Sequence, residues 1–188
     1  MEIHTQGTLK LPKSVLTIGA LDGVHRGHQA LLLKTKERAE KFGVPFVVYT
    51  FDPPPKVFFK KCQMITTLDE KLNRLEMLGA EHVIVGKFNE AFTMQTVSSF
   101  IEELQLINPV EIWEGPNFQF GKDRKGSIDD LRASFHVGVL NPLQCEQGEL
   151  ISSTRIRSLL QQGNFSLAKT LLGDIRYISF LAEKNYAV

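Results

Sequence analysis

Cysteine is scarce in this chain: Cys62 and Cys145 stand alone, outside any Cys-x-x-Cys spacing. That excludes a disulfide framework and a cysteine-based zinc site, leaves free thiols as the expectation, and makes neither residue a candidate nucleophile. Long apolar runs are missing as well, since none approaches the roughly 20 residues of a membrane-spanning helix. The opening Met1-Glu2-Ile3-His4 has neither the basic nor the apolar stretch of an export signal, so a cytoplasmic protein without a membrane partner is expected. No charge of one sign dominates. Lys and Arg number 22 against 21 Asp and Glu, a net charge of +1, which gives no reason to expect a nucleic-acid partner. An anionic small ligand must therefore be held by local chemistry. No internal repeat, low-complexity tract or linker interrupts the chain, and 188 residues at 43% hydrophobic content suit one domain with a sizeable core.

Two common phosphate-binding patterns are also lacking: no Lys-Ser or Lys-Thr follows the glycines as in a Walker loop, and no Gly-x-Gly-x-x-Gly appears. What is present is Leu16 to Leu33, LTIGALDGVHRGHQALLL. Val15 to Ile18 is a short β-prone run, while Leu31, Leu32, Thr35, Ala39 and Phe42 recur at helical spacing. The turn between them carries Gly19, Gly23 and Gly27 with Asp22, His25 and His28. A helix beginning near Gly27 aims its free N–H groups and dipole at any anion placed there, and Gly27 is small enough to let a ligand lie against the helix start between two imidazoles. A phosphate site is the reading.

Downstream, Val44 to Phe51 is a buried strand stopped by Asp52-Pro53-Pro54-Pro55, a run that stiffens a loop. Phe58 and Phe59 after it are expected to pack under that loop, the alternative being a wall for a planar ligand. Thr67 to Glu70 opens an amphipathic helix through Leu72, Leu75 and Leu78 with Gly79 as terminator. Strands at His82 to Val85 and Val110 to Trp113 flank a helix over Thr96 to Leu106, and Phe135 to Leu140 reads as a further strand. The alternation predicts an α/β, doubly wound parallel sheet in a single domain, with its ligand beyond the carboxyl ends of the strands. Glu114 to Gly126 holds three glycines, two aromatics and basic residues, a loop suited to a ring and phosphates together. Ile151-Ser152-Ser153-Thr154-Arg155-Ile156-Arg157 begins a helix ended by Gly163, and its hydroxyls, N–H groups and arginines form a second anion site. Asn164 to Leu172 is a second short helix, closed by Gly173.

Four stretches coincide in order: GALDGVHRGH at 19–28, FDPPP at 51–55, GPNFQFG at 115–121 and ISSTRIR at 151–157. Together they resemble the N-terminal FMN adenylyltransferase module of bacterial bifunctional FAD synthetases, in the His-x-Gly-His nucleotidylyltransferase superfamily, with its Rossmann-like fold. The resemblance implies transfer of AMP from ATP to FMN, giving FAD and pyrophosphate with Mg²⁺. By position, His25, His28, Asn117 and Arg157 take the catalytic roles. Gly19, Asp22, Gly27, Ser153 and Thr154 line the nucleotide site, with Phe118 beside Asn117 at the flavin, while Arg155 falls at a more variable place. No residue set reads as an all-protein metal site, so Mg²⁺ is expected on substrate phosphates and water. Leu21 replaces the family's phenylalanine and Pro54 its histidine. The alternatives are a flavin- or nucleotide-binding paralogue with weak catalysis and a nucleotidylyltransferase for another phosphorylated acceptor. The domain is expected over 1–173 with a tail over 174–188. The riboflavin kinase module that follows in the family is not expected, so riboflavin phosphorylation should be absent and FMN should come from a separate riboflavin kinase. Without such a module, the helix of Asn164 to Leu172 must pack on the core by Phe165, Leu167, Leu171 and Leu172, and Tyr177 to Val188 must add an edge strand or fray.

Overall fold

Apolar β-branched runs with no polar alternation demand cover on both sides, and the fold supplies it. The structure, a computed structural model, describes residues 1–173; the tail from Tyr177 to Val188 lies outside the described residues. Strands β1 (Glu2–Thr5), β2 (Ser14–Ile18), β3 (Phe46–Asp52), β4 (His82–Lys87), β5 (Pro109–Glu114) and β6 (Val137–Val139) form one six-stranded sheet, ordered β1-β4-β3-β2-β5-β6. Every pairing is parallel. The chain leaves β2 toward β3 on one side and later returns to β5 on the other, so the order reverses between β2 and β5.

The helices are α1 (Arg26–Phe42), α2 (Pro55–Lys60), α3 (Leu68–Met77), α4 (Glu90–Thr93), α5 (Val97–Gln105), α6 (Ile128–Arg132), α7 (Ser153–Gln161) and α8 (Phe165–Leu172). Alternate residues of the central strands feed separate cores. Leu16, Ile18, Val47 and Tyr49 meet Phe100 and Leu104 of α5 and Leu131 of α6. Val15, Phe46 and Val48 meet Leu32 and Ala39 of α1 and Leu75 of α3 on the opposite face. That two-sided cover is the expected doubly wound α/β sheet.

Helix starts follow side-chain chemistry. Thr67 and Glu70 form a reciprocal capping box on α3, Thr96 accepts from the Ser99 N–H at 3.1 Å, and Ser152 accepts from the Arg155 N–H at 3.3 Å. Some expectations differ from the structure. The proline run does not remain loop, because Pro55 needs no N–H at the first helical position and opens α2. The expected strand over Phe135 to Leu140 shortens to Val137–Val139, since the Phe135 N–H closes the turn after α6 onto the Leu131 carbonyl. Strand β1 had no sequence signal: it is an edge strand with no buried residue. In the third core, formed with Ile151, Ile156 and Leu159, Leu171 is buried and Leu167 and Leu172 pack against it. Phe165 does not join them and is 66% exposed.

Candidate active site

The Gly19 to His28 turn leaves the carboxyl end of β2 and runs straight into α1, so the first N–H groups of a 17-residue helix face the strand ends. His25 is the N-cap; its Nδ1 accepts from the His28 N–H at 3.3 Å. The two imidazoles stack with centroids 3.6 Å apart and planes inclined by 17°. This differs from the expectation of a ligand between the rings: they face each other at stacking distance, which leaves no space between them. Gly27 leaves room for that packing: a Cβ there would stand 3.2 Å from His25 Cε1, so the ring would have to shift slightly, and 3.5 Å from the Ile151 carbonyl, an ordinary contact. Burial lowers the His25 pKa to about 4. Burial first, then the charges of His25 and Lys71, puts His28 well below its ordinary value. Both rings are therefore neutral near pH 7, and His28 Nδ1 is buried without a partner among the described residues.

Asp22, 2% exposed, ties the turn to the rest of the fold. Its Oδ1 accepts from the Ile65 N–H at 3.0 Å and the Thr66 N–H at 3.3 Å, and its Oδ2 accepts from Arg157 Nη2. Arg157 also donates from Nε to the Gln63 carbonyl at 2.9 Å, while its Nη1 is buried and unpartnered among the described residues. Ser153 donates to the Asp22 carbonyl at 2.9 Å, and Thr154 accepts from Lys56 at 2.6 Å. The start of α7 thus lies against the turn, with Asp22 and Arg157 joined beneath it.

A cavity of about 270 Å³ opens where β2 and β5 end, at the reversal of strand order that favours ligand sites in such sheets. Gly19, Leu21, His25, Gly27 and His28 form one wall; Gly115, Asn117, Phe118 and Ile151 contribute to the rest. Asp22, Ser153, Thr154 and Arg157 are not among its lining residues. Phe118 stacks on Phe120, which is pinned by its paired backbone hydrogen bonds with Gly126, so the aromatic loop is braced from within. Phe58 packs against the core as expected, whereas Phe59 is 65% exposed. Pro54 caps α2 without a side-chain hydrogen bond, outside the cavity lining.

Two polar residues of the site region carried no sequence signal. Glu114, at the end of β5, accepts from the Ile18 N–H at 2.6 Å, and burial raises its pKa well above the ordinary value. Lys71 reaches under the crevice to the Phe51 carbonyl at 2.7 Å, with its pKa lowered by burial to about 8. Each lies in an amphipathic or apolar stretch where its partner is set by a distant strand. A depressed or raised pKa beside a cleft was the signal, and it exists only in three dimensions.

A doubly wound parallel sheet with paired imidazoles at a helix N-terminus, placed at the switch point, is the arrangement that the resemblance to the nucleotidyltransferases implies, and the comparisons bear out that class. The family model for FAD synthetase matches residues 8–155, and the chain belongs to that family. A relative from Geobacillus thermodenitrificans (strain NG80-2), named for riboflavin kinase and FMN adenylyltransferase activities, is 45% identical over 92% of this chain and 97% of its own length. The bifunctional riboflavin kinase/FMN adenylyltransferase of Bacillus subtilis (strain 168) is 37% identical over 88% of this chain. That of Escherichia coli (strain K12) is 36% identical over 91%. The chain spans 55% and 58% of the length of those two proteins. A crystal structure described as a macrolide-efflux protein from Streptococcus pneumoniae superposes with a TM-score of 0.81 at 31% identity, covering 92% of this chain and 62% of the other. No helix among the described residues is long and apolar enough to cross a membrane.

Proposed function

We propose that this chain transfers AMP from ATP to FMN, giving FAD and pyrophosphate. The observation that carries the reading is one cavity at the switch point that joins two neutral imidazoles on the N-terminus of α1 to the Asn117–Phe118 loop leaving β5. An FMN phosphate oxygen attacks the α-phosphorus, the bond from that phosphorus to the bridging oxygen breaks, and pyrophosphate leaves with the electron pair. This chemistry needs no protein nucleophile; it needs two anions held in line and the leaving charge stabilised.

The α1 N-terminus attracts the triphosphate, and Gly19 and Gly27 let it approach the backbone. His25 and His28 donate ring N–H groups to phosphate oxygens and gain basicity as the anion arrives. The Asn117 amide orients the attacking phosphate, and Phe118 faces the flavin. Ser153, Thr154 and Arg157 hold the turn through Asp22, and Nη1 of Arg157 is the donor left over for a phosphate. The carboxylates beside the crevice are committed, Asp22 to Arg157 and two backbone N–H groups and Glu114 to Ile18. Mg²⁺ is read as entering on the substrate phosphates, where it would supply charge neutralisation.

Residues 1–173 are read as the nucleotidylyltransferase unit, working in the cytoplasm with small molecules rather than nucleic acid. The FMN is read as the product of a riboflavin kinase, the other activity in the relatives' names. A panel of acceptors with ATP and Mg²⁺ tests the reading. FMN should be converted at a rate on the order of 1 per second or more, and pantetheine phosphate and nicotinamide mononucleotide left intact. Adenylylation of one of those instead would reassign the acceptor, and flavin binding without turnover would make the chain a binding paralogue.

A further inference from the structure

At the opposite end of the sheet from the crevice, Glu2 and His4 on β1 and His82 at the start of β4 bring three metal-ligating side chains together. Glu2 stands beside His82 in the parallel register, and His4 follows two residues along β1, so the pleat puts all three on one face. Their donor atoms close a triangle. His4 Nε2 is 3.1 Å from His82 Nδ1, and Glu2 Oε2 is 3.6 Å and 3.5 Å from those two nitrogens. An ion held tetrahedrally at about 2.0–2.1 Å by imidazole nitrogen and carboxylate oxygen requires donors about 3.3 Å apart. The triangle has the size of one tetrahedral face.

The donor chemistry selects the ion. Imidazole pairs favour zinc, cobalt or nickel, whereas magnesium and calcium take oxygen ligands. The histidine side chains are 19% and 17% exposed, and Glu2 is 73% exposed, so the approach and the fourth vertex are open on the Glu2 side.

We propose that Glu2, His4 and His82 form a site for a zinc-class divalent ion that fastens β1 to the sheet. β1 has four residues, none buried, and pairs with β4 alone; Ile3, on its other face, is 57% exposed. Packing does little to hold this strand. An ion joining residues 78 positions apart supplies the missing cross-link. Coordination uses the lone pairs of both facing nitrogens, so the proton shared between them moves to the far nitrogen of its own ring. The site lies at the amino end of the strands and takes no part in the proposed transfer.

Zn²⁺ titrated calorimetrically into the full chain at neutral pH, with Tm followed in parallel, tests this. One equivalent should bind, and Tm should rise by about 5–10 °C at zinc a hundredfold above Kd. His4→Asn with His82→Asn should abolish both effects, and Glu2→Gln, at an exposed position, should weaken binding by roughly tenfold or more. Co²⁺ should give the visible bands of a tetrahedral nitrogen and oxygen site without thiolate charge transfer. Zinc binding or a Tm rise that persists undiminished in the double variant overturns the proposal. If the double variant does not fold, Glu2→Gln decides alone, and unchanged affinity overturns it equally.

Discussion

His25 is held neutral by burial, and this has two consequences. Its folded pKa of about 4 lies below the 6.5 of the unfolded chain, so stability is complete above about 6.5 and is lost as the pH falls toward 4. The loss approaches about 3 kcal/mol for this group. Denaturant midpoints should therefore fall between pH 7 and pH 5, and His25→Gln should flatten the slope; an unchanged slope would mean that the ring is already charged in the fold. A bound triphosphate shifts both imidazoles upward, so binding should take up protons and tighten as the pH drops from 8 to 6. Calorimetry in buffers of different ionisation enthalpy reads that uptake, and identical heats would exclude it. Asp22→Ala leaves Arg157 buried and unpaired and should cost about 3–5 kcal/mol, measurable by urea unfolding. At this scale the sequence was legible where chemistry is local. His25, Gly27 and His28 sit within one turn, while the Asp22–Arg157 pair spans 135 positions and appears only on folding.

Helix α1 carries the site, and its start can be perturbed without breaking it. In Gly27→Ala the new methyl presses on the His25 ring at 3.2 Å, while alanine favours helix. Stability should change by less than about 1 kcal/mol, and FAD formation should drop at least about tenfold through the misplaced imidazole. A stable variant with full activity would show that the stacked rings do not set the reacting geometry. Farther along α1, Arg38 donates from Nε to Glu111 of β5 at 2.7 Å, and Trp113 donates to the same carboxylate at 2.8 Å. Helix and strand are thus fixed across the switch point. The helices were legible from capping residues and apolar spacing, because Thr67, Thr96 and Ser152 perform the same local bonding in any context. The elements that escaped were short or exposed. β1 lacks buried residues, α4 has four residues and α6 five, and α2 begins with a proline that reads equally as a loop.

Across the whole molecule, two successive helices far along the chain from it, α7 and α8, close on the turn between β2 and α1. From α7 come Ser153 and Arg157; from the end of α8, the Leu172 carbonyl accepts from Gln29 at 2.8 Å, and Gln29 also reaches the Val24 carbonyl at 2.7 Å. Replacing Gln29 by Ala should lower ATP affinity more than FMN affinity, as judged by separate titrations. Equal losses would mean general unfolding rather than a loosened turn. The parallel order of the central strands followed from helical crossovers and uninterrupted apolar strands, and with it the position of the crevice. The closing of α7 over that turn was implied by the family resemblance alone and that of α8 was not foreseen, since both rest on a small third core and side-chain bonds to backbone carbonyls that leave no periodic trace. The central claim concerns which bond of ATP is broken and what accepts the fragment. Incubation of the chain with FMN, Mg²⁺ and ATP labelled at the α-phosphate tests it directly: the account predicts label in FAD in step with unlabelled pyrophosphate, and label left in ATP, or recovered in ADP with no FAD formed, would contradict it.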